Sequence, residues 1–269
     1  MSFGKRLDVA IRERGPLCIG IDPHASLLAQ WGLPDTAAGL ERFALSCVEA
    51  FADETSVVKP QSAFFERFGS AGIAVLERTV RAARAAGALV LLDVKRGDIG
   101  STMSAYADAY LDPSSPLAVD AITITPYLGV GALDPAFDLV ARHDVGAFVV
   151  TLTSNPDGAQ VQHAVGGDGR RVAQLVVDEV AARNAGASPL GSIGVVVGAT
   201  LGELDVDLSK LNGPILAPGV GAQGGTAADV RRLFGGAPGV LPSVSRDLLR
   251  AGPDVPALRD AARSYRAQF

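Results

Sequence analysis

Short apolar runs rich in β-branched residues recur along the chain, and a stretch of helical periodicity follows most of them. The runs predict strands over Leu17–Asp22, Ser56–Lys59, Ala88–Asp93, Ala121–Thr125, Ala147–Leu152, Ser192–Val197, Ile215–Pro218 and Val240–Ser243. The stretches between them predict helices over Thr36–Phe51, Ser70–Ala86, Ser101–Ala109, Gly131–Ala141, Arg170–Asn184, Thr200–Asp205, Thr226–Phe234 and Val255–Gln268. The clearest helix is GSAGIAVLERTVRAARAAG, with Ile73, Leu76, Val80 and Ala83 on one face and Gly87 as its stop. Eight strands alternating with eight helices is the element count of a closed α/β barrel, the (β/α)8 TIM barrel. An open doubly wound sheet is the alternative. No composition break or repeat divides the chain, so residues 1–269 are expected to form a single barrel domain.

Composition narrows the partners. Of the 269 residues, 48% are apolar, enough for a large core. A net charge of −5 with no basic run argues against nucleic acid or a membrane surface as partner. No apolar run approaches the ~18 residues of a membrane span. The start, MSFGKRLDVAIRERG, is charged and amphipathic and lacks the apolar core of a signal peptide. Cys18 and Cys47 have neither metal nor redox spacing and are expected to be buried thiols of a cytoplasmic protein.

In such barrels the chemistry sits at the C-terminal ends of the strands. Those ends carry Asp22, Lys59, Asp93 with Lys95, Thr125, Ser154, a glycine-rich loop after Pro218, and Arg246. Strand side chains alternate faces, so Asp93 and Lys95 share one face if their strand runs that far, behind Leu89 and Leu91. Asp98 follows in the turn that opens the next helix. Together these residues form a row of alternating charge. One such pair could simply close the barrel mouth. Several converging pairs point to function, because buried ion pairs stabilise weakly and perturbed charges gather at active sites. The tripeptide Arg96-Gly97-Asp98 is not read as an adhesion motif, since nothing marks the chain as secreted.

At the far side of the mouth, residues 219–224 of APGVGAQGGTAADV match G-x-G-x-x-G. A dinucleotide fold places that motif after its first strand; here it follows the seventh. In a barrel, the loops after strands seven and eight form the usual phosphate site. Gly224 and Gly225 would let backbone amides approach the anion, Gln223 would donate from its side chain, and Arg246 would fork onto phosphate oxygens. A phosphorylated small molecule is therefore the expected ligand. The stretch TSNPDGAQVQHAVGGDGR, residues 153–170, is long enough for a lid, with Ser154 at its base as a hydrogen-bonder to a polar ring. His163 reads as a solvated loop residue, and His24 as the histidine nearer the mouth than His143. No Walker, zincin or nucleophile-elbow motif and no metal cluster is present in the sequence.

These residues resemble the orotidine 5′-phosphate decarboxylase family. Its Asp-x-Lys-x-x-Asp pattern is matched by Asp93, Lys95 and Asp98 in DVKRGDI, its strand-two lysine by Lys59, and its strand-one aspartate by Asp22 in GIDPH. Its phosphate loop is matched by PGVGAQGG and its late arginine by Arg246. KPQSAFFERFG and DVKRGDIGST are similar to the longer bacterial, type 2 subgroup. The arginine lies in VSRDLL, where many members have Gly-Arg, and Ser245 has no role assigned.

The resemblance implies decarboxylation of orotidine 5′-monophosphate to uridine 5′-monophosphate with no cofactor and no metal. Lys95 would deliver the proton to C6, Asp93 would face the departing carboxylate, and Asp98 with Lys59 would hold Lys95 charged. Lys59 and Asp22 would bind ribose hydroxyls, and Ser154 would read the pyrimidine. It further implies a homodimer in which Asp98 and Thr102 cross into the partner's site. The rivals are a metal-dependent sugar-phosphate enzyme on the same scaffold, a Schiff-base aldolase using Lys59 or Lys95, and a binding barrel without turnover.

Overall fold

The alternation along the chain closes into a barrel. A computed structural model describes all 269 residues. Eight parallel strands pair in sequence order: β1 (Cys18–Ile21), β2 (Val57–Pro60), β3 (Leu89–Arg96), β4 (Ala121–Ile124), β5 (Gly146–Leu152), β6 (Ile193–Val197), β7 (Ile215–Pro218) and β8 (Val240–Val244). The seam is made by β1 and β8, with Cys18 opposite Ser243. Every predicted strand is present, and β3 continues through Lys95 to Arg96.

Each strand sends alternate side chains to opposite faces. Cys18, Val57, Leu89, Leu91, Ala121, Phe148, Val196, Leu216 and Leu241 form one buried cluster inside the barrel. Their neighbours Ile19, Val58, Val90, Ile122, Ala147, Val195 and Ile215 belong to the larger cluster under the helices. The inner cluster also takes in Phe3, Leu7 and Ala10 of a helix over Phe3–Arg14, which plugs the N-terminal end of the barrel. Phe3 meets Phe148 edge-on, ring centroids 6.1 Å apart. A Cβ at Gly146 would lie 2.4 Å from the Phe3 ring, so only glycine lets the plug seat. The sequence pattern predicts no element here. The spacing of Phe3, Leu7 and Ala10 at four and three residues is the signal that finds it.

Seven of the eight predicted helices are present, with ends shifted by at most three residues. The helix predicted over Thr200–Asp205 is absent. Leu201, Leu204 and Leu208 have helical spacing and do pack on the barrel, but as an irregular segment. Aspartates supply the reason. Asp207, just past the predicted span, turns the chain by accepting from Ser209 N at 2.9 Å, and Asp205 pairs with His163 and Arg171. The Asp207 bond to backbone competes with a helix ladder.

Candidate active site

The parity that fills the barrel interior also builds its mouth. Two residues beyond each inward apolar side chain comes the next inward position: Lys59 after Val57, Asp93 after Leu91, Thr123 after Ala121, Ser243 and then Ser245 after Leu241. These line a cavity of about 340 Å³ at the C-terminal ends of the strands, together with Asp22, Lys95, Ser154, Gln223 and Arg246.

The floor of the cavity is an ion triad. Lys59 Nζ lies 3.1 Å from Asp93 Oδ2, and Lys95 Nζ lies 2.6 Å from Asp93 Oδ1. The side chains of Lys59 and Asp93 are 7% and 9% exposed, whereas Lys95 is 49% exposed. The carboxylate is therefore sunk, with one ammonium buried beneath it and another reaching into the cavity. Burial pushes the Asp93 carboxyl up, but Lys59 and Lys95, with hydrogen bonds from Lys95 and Thr123, outweigh burial and hold it well below the usual carboxylate range. Burial likewise disfavours charge on Lys59, and Asp93 followed by Asp22 overrules it, so its pKa stands above that of an ordinary lysine. Gln61 completes the floor, accepting from Lys59 Nζ at 3.4 Å and donating to the Asp93 carbonyl at 3.4 Å.

Lys95 reaches the cavity through a break in the sheet. The β3–β4 register shifts between Leu92 and Arg96, and Lys95 adopts φ 46°, a left-handed conformation rare for a residue with a Cβ. Thr123 Oγ1 sits against the break, 3.1 Å from Val94 N, 3.0 Å from Lys95 N and 2.8 Å from Asp93 Oδ1.

The opposite wall is polar and unengaged. Gln223 and Arg246 line the cavity, and neither side chain has a hydrogen bond or ion pair within the protein. Asp22 Oδ1 and Ser245 Oγ are buried without a partner. Both crowd the same point above Gly20, where a Cβ would lie 3.0 Å from Ser245 Oγ and 3.3 Å from Asp22 Oδ1. Buried polar atoms in native proteins are paired, so these two are positioned to bond with water or a bound molecule in the cavity. Gly224 and Gly225 are not in the lining. Gly224 N donates to Gly221 O at 2.7 Å and Gly225 N to Gly219 O at 3.0 Å, so these amides close the loop on itself. Behind it, Thr226 and Asp229 form a capping box on the helix Ala227–Phe234.

Residues 15–261 match the family model described as orotidine 5′-phosphate decarboxylase / HUMPS family. The chain belongs to this family. It is 66% identical to the orotidine 5′-phosphate decarboxylase of Salinispora arenicola over 262 residues, covering 97% of this chain and 94% of that one. A crystal structure from Streptomyces avermitilis, provisionally assigned to orotidine 5′-phosphate decarboxylase, superposes with a TM-score of 0.97 at 60% identity, covering 99% of this chain and 94% of that one. The Leishmania donovani OMP decarboxylase matches with a TM-score of 0.75 at 32% identity, covering 98% and 95%.

Of the residues that the family resemblance singles out, Asp22, Lys59, Asp93, Lys95, Ser154, Gln223 and Arg246 meet in one cavity. Asp98 and Thr102 do not line it. Asp98 is half-buried and accepts from Ile99 N at 2.8 Å, and Thr102 is exposed on the helix Gly100–Leu111. Thr125 also stays out, because β4 ends at Ile124 and the Thr125 backbone turns against Gly97. The inward threonine is Thr123. His24 does sit near the mouth, its ring 4.2 Å from that of Phe64; burial, and then the nearby Arg246 and Arg67, lower its pKa against the pull of Asp22. His163 is an exposed loop residue, as expected, with Nδ1 2.6 Å from Asp205 Oδ2. Cys18 is fully buried, and burial pushes its thiol up to about 12. Gln61, Thr123, Ser243 and Ser245 were recoverable from strand parity alone once Val57, Leu91, Ala121 and Leu241 are placed inward.

Proposed function

We propose that the protein decarboxylates orotidine 5′-monophosphate to uridine 5′-monophosphate in pyrimidine synthesis, with Lys95 as proton donor and without a cofactor. The observation that carries this reading is the triad Lys59–Asp93–Lys95 on the floor of a cavity whose far wall holds an unengaged arginine and glutamine. The 5′-phosphate goes to Arg246 and Gln223, with Gly224 and Gly225 shaping the loop behind. The sugar hydroxyls go to Asp22 and Lys59, and the ring to Ser154. The 6-carboxylate is then directed toward Asp93.

When the C6–carboxylate bond breaks, carbon dioxide leaves and the electron pair stays on C6 in the ring plane. No π system of the ring accepts that pair, and cofactors that supply such a sink elsewhere are not needed if charge is stabilised directly. The Lys95 ammonium is the nearest cation able to face it. Its proton passes to C6, and the neutral amine regains one from water. Asp93, held ionised, pairs with the Lys95 ammonium at 2.6 Å and places a negative group beside the carboxylate that must leave.

Magnitudes show why the triad does not act alone. One charge pair at ~4 Å is worth about 4 kcal/mol at an effective dielectric of 20. Large enzymatic accelerations need roughly 8–23 kcal/mol. The remainder is drawn from binding of the remote phosphate, which positions the ring and closes the loop over residues 153–170.

The site is proposed to be shared across a cytoplasmic homodimer, with Asp98 and Thr102 reaching the partner's cavity. Supporting this are exposed Ile99, Tyr127 and Leu128, apolar side chains on the β3 and β4 loops, which meet at Gly97 and Thr125. A Schiff-base aldolase using Lys59 is disfavoured, because such a lysine needs a lowered pKa and this one is held charged. For the metal-dependent sugar-phosphate relatives, no three His, Cys, Asp or Glu side chains converge as ligands. The deciding experiment is turnover of orotidine 5′-phosphate in chelator by wild type and Lys95→Ala. Wild type is expected to act undiminished and the variant to be folded and inactive. Substantial turnover by the variant would remove Lys95 as the acid.

A further inference from the structure

The geometry points to Thr123 as a positioning residue for the proton donor. This inference rests on the role of Lys95 proposed above, and we propose that the Thr123 hydroxyl holds Lys95 in the backbone turn that aims its ammonium at the reacting carbon.

The hydrogen-bond inventory at this hydroxyl has a single solution. A threonine Oγ has one proton and two lone pairs. Three groups surround it: Val94 N at 3.1 Å, Lys95 N at 3.0 Å and Asp93 Oδ1 at 2.8 Å. The two amides can only donate, so they take both lone pairs. The hydroxyl proton must then go to the Asp93 carboxylate. Thr123 is 1% exposed, so water does not compete for any of the three.

Each bond acts on a different part of the donor machinery. In an unbroken β3 strand alternate amides face alternate edges, so Val94 N would bond to a β4 carbonyl and Lys95 N would face away from β4. The register shift between Leu92 and Arg96 breaks that alternation. The Thr123 side chain takes both amides, and it binds that of Lys95 at the residue whose φ is 46°. A non-glycine residue stays in that region only where its surroundings over-determine it. The third bond fixes the rotation of the Asp93 carboxylate. With Oδ1 shared by Thr123 and Lys95 Nζ, and Oδ2 facing Lys59 Nζ, the carboxylate plane cannot turn without breaking a contact. One hydroxyl thus sets both the backbone that carries Lys95 and the anion that receives its ammonium.

The test compares Thr123→Val, which keeps the shape and removes the hydroxyl, with Thr123→Ser, which keeps the hydroxyl and removes the methyl. Thr123→Val is expected to lower kcat ~10–100-fold with KM within ~3-fold, and Thr123→Ser to recover kcat to within ~3-fold of wild type. A purely structural role would lower Tm and leave kcat in place, or make serine as poor as valine; either result overturns the proposal. If Thr123→Val does not fold, Thr123→Cys, a far weaker hydrogen-bonder of similar size, gives the same split. A second readout does not depend on turnover. The chain has four lysines, Lys5, Lys59, Lys95 and Lys210, so their side-chain NMR signals are separable. The Lys95 signal should shift in Thr123→Val and return in Thr123→Ser. An inactive wild type would defeat the decarboxylase reading instead, and the Lys95 signal alone would then decide this one: an unmoved signal in Thr123→Val refutes it.

Discussion

Replacing Asp93 by asparagine removes one charge and almost no volume, which makes Asp93→Asn a clean probe of the triad. The variant leaves Lys59 93% buried at its side chain, with neutral oxygens of Gln61, 3.4 Å away, and of the new asparagine beside it, and Asp22 as the nearby carboxylate still acting on it. At 3.1 Å the lost attraction is about 5 kcal/mol at an effective dielectric of 20. Removing one partner of a buried pair costs about 3–5 kcal/mol in measured cases, because the other charge is stranded. The Lys95 pair adds little, since that side chain is half exposed and solvent screens it; a contribution of ~1 kcal/mol or less is expected. The net loss should be about 3–5 kcal/mol, or roughly 10 °C in Tm for a domain of this size. Thermal unfolding at neutral pH measures it. Adding Lys59→Met on top of Asp93→Asn should restore much of the loss, because the stranded ammonium is then gone. A Tm within ~2 °C of wild type for Asp93→Asn would show that the pair is not coupled as the geometry requires.

Other outcomes follow from the same cavity. Lys95→Ala, at a half-exposed position, should cost ~1 kcal/mol or less in stability while abolishing turnover; unfolding of the variant would contradict the placement. Arg246→Ala should lower kcat/KM about 30–1,000-fold, the equivalent of ~2–4 kcal/mol in charged hydrogen bonds to phosphate, and an unchanged value would remove Arg246 from the site. If sites are shared in a two-fold dimer, mixing inactive Lys95→Ala with inactive Asp98→Ala should restore up to about a quarter of wild-type activity, and no recovery after subunit exchange would refute the sharing. The pH dependence of stability has a definite sign on each side. Asp93's lowered pKa contributes stability that is full above about pH 4 and is lost as pH falls through the folded value; Lys59's raised pKa contributes stability that is full below about pH 10 and is lost as pH rises through its folded value. The Tm difference between wild type and Asp93→Asn should therefore be flat between those limits and shrink on the acid side; a difference that grows in acid would reverse the assignment.

The strands were legible because each is a compact apolar run, and period-two alternation carries the same information to the rim. Asp93 follows Leu89 and Leu91 on one face, and the structure keeps it there. Where side chains bond to backbone, the pattern misleads. Leu201, Leu204 and Leu208 have helical spacing, yet the aspartates between them turn the chain into irregular structure. Lys95 shares the parity of Asp93, but its placement depends on a register break and a left-handed residue that no local propensity signals. Parity gives the inward position of Thr123 but not its bonding: its bonds to Val94 and Lys95 exist only across two paired strands 29 and 28 residues apart in sequence. Asp98 and Thr102 draw their proposed role from the family pattern, and a single chain leaves them outside its own cavity.

The central claim is that Lys95, fixed by Asp93, performs a decarboxylation with no help from a metal or cofactor. The ultraviolet absorbance of orotidine 5′-phosphate mixed with purified, chelator-treated protein tests it most directly. Conversion to uridine 5′-phosphate by wild type, at a rate untouched by chelator and absent in Lys95→Ala, is the predicted result. A spectrum that stays constant with wild type, or changes only after a divalent ion is added back, would contradict the account.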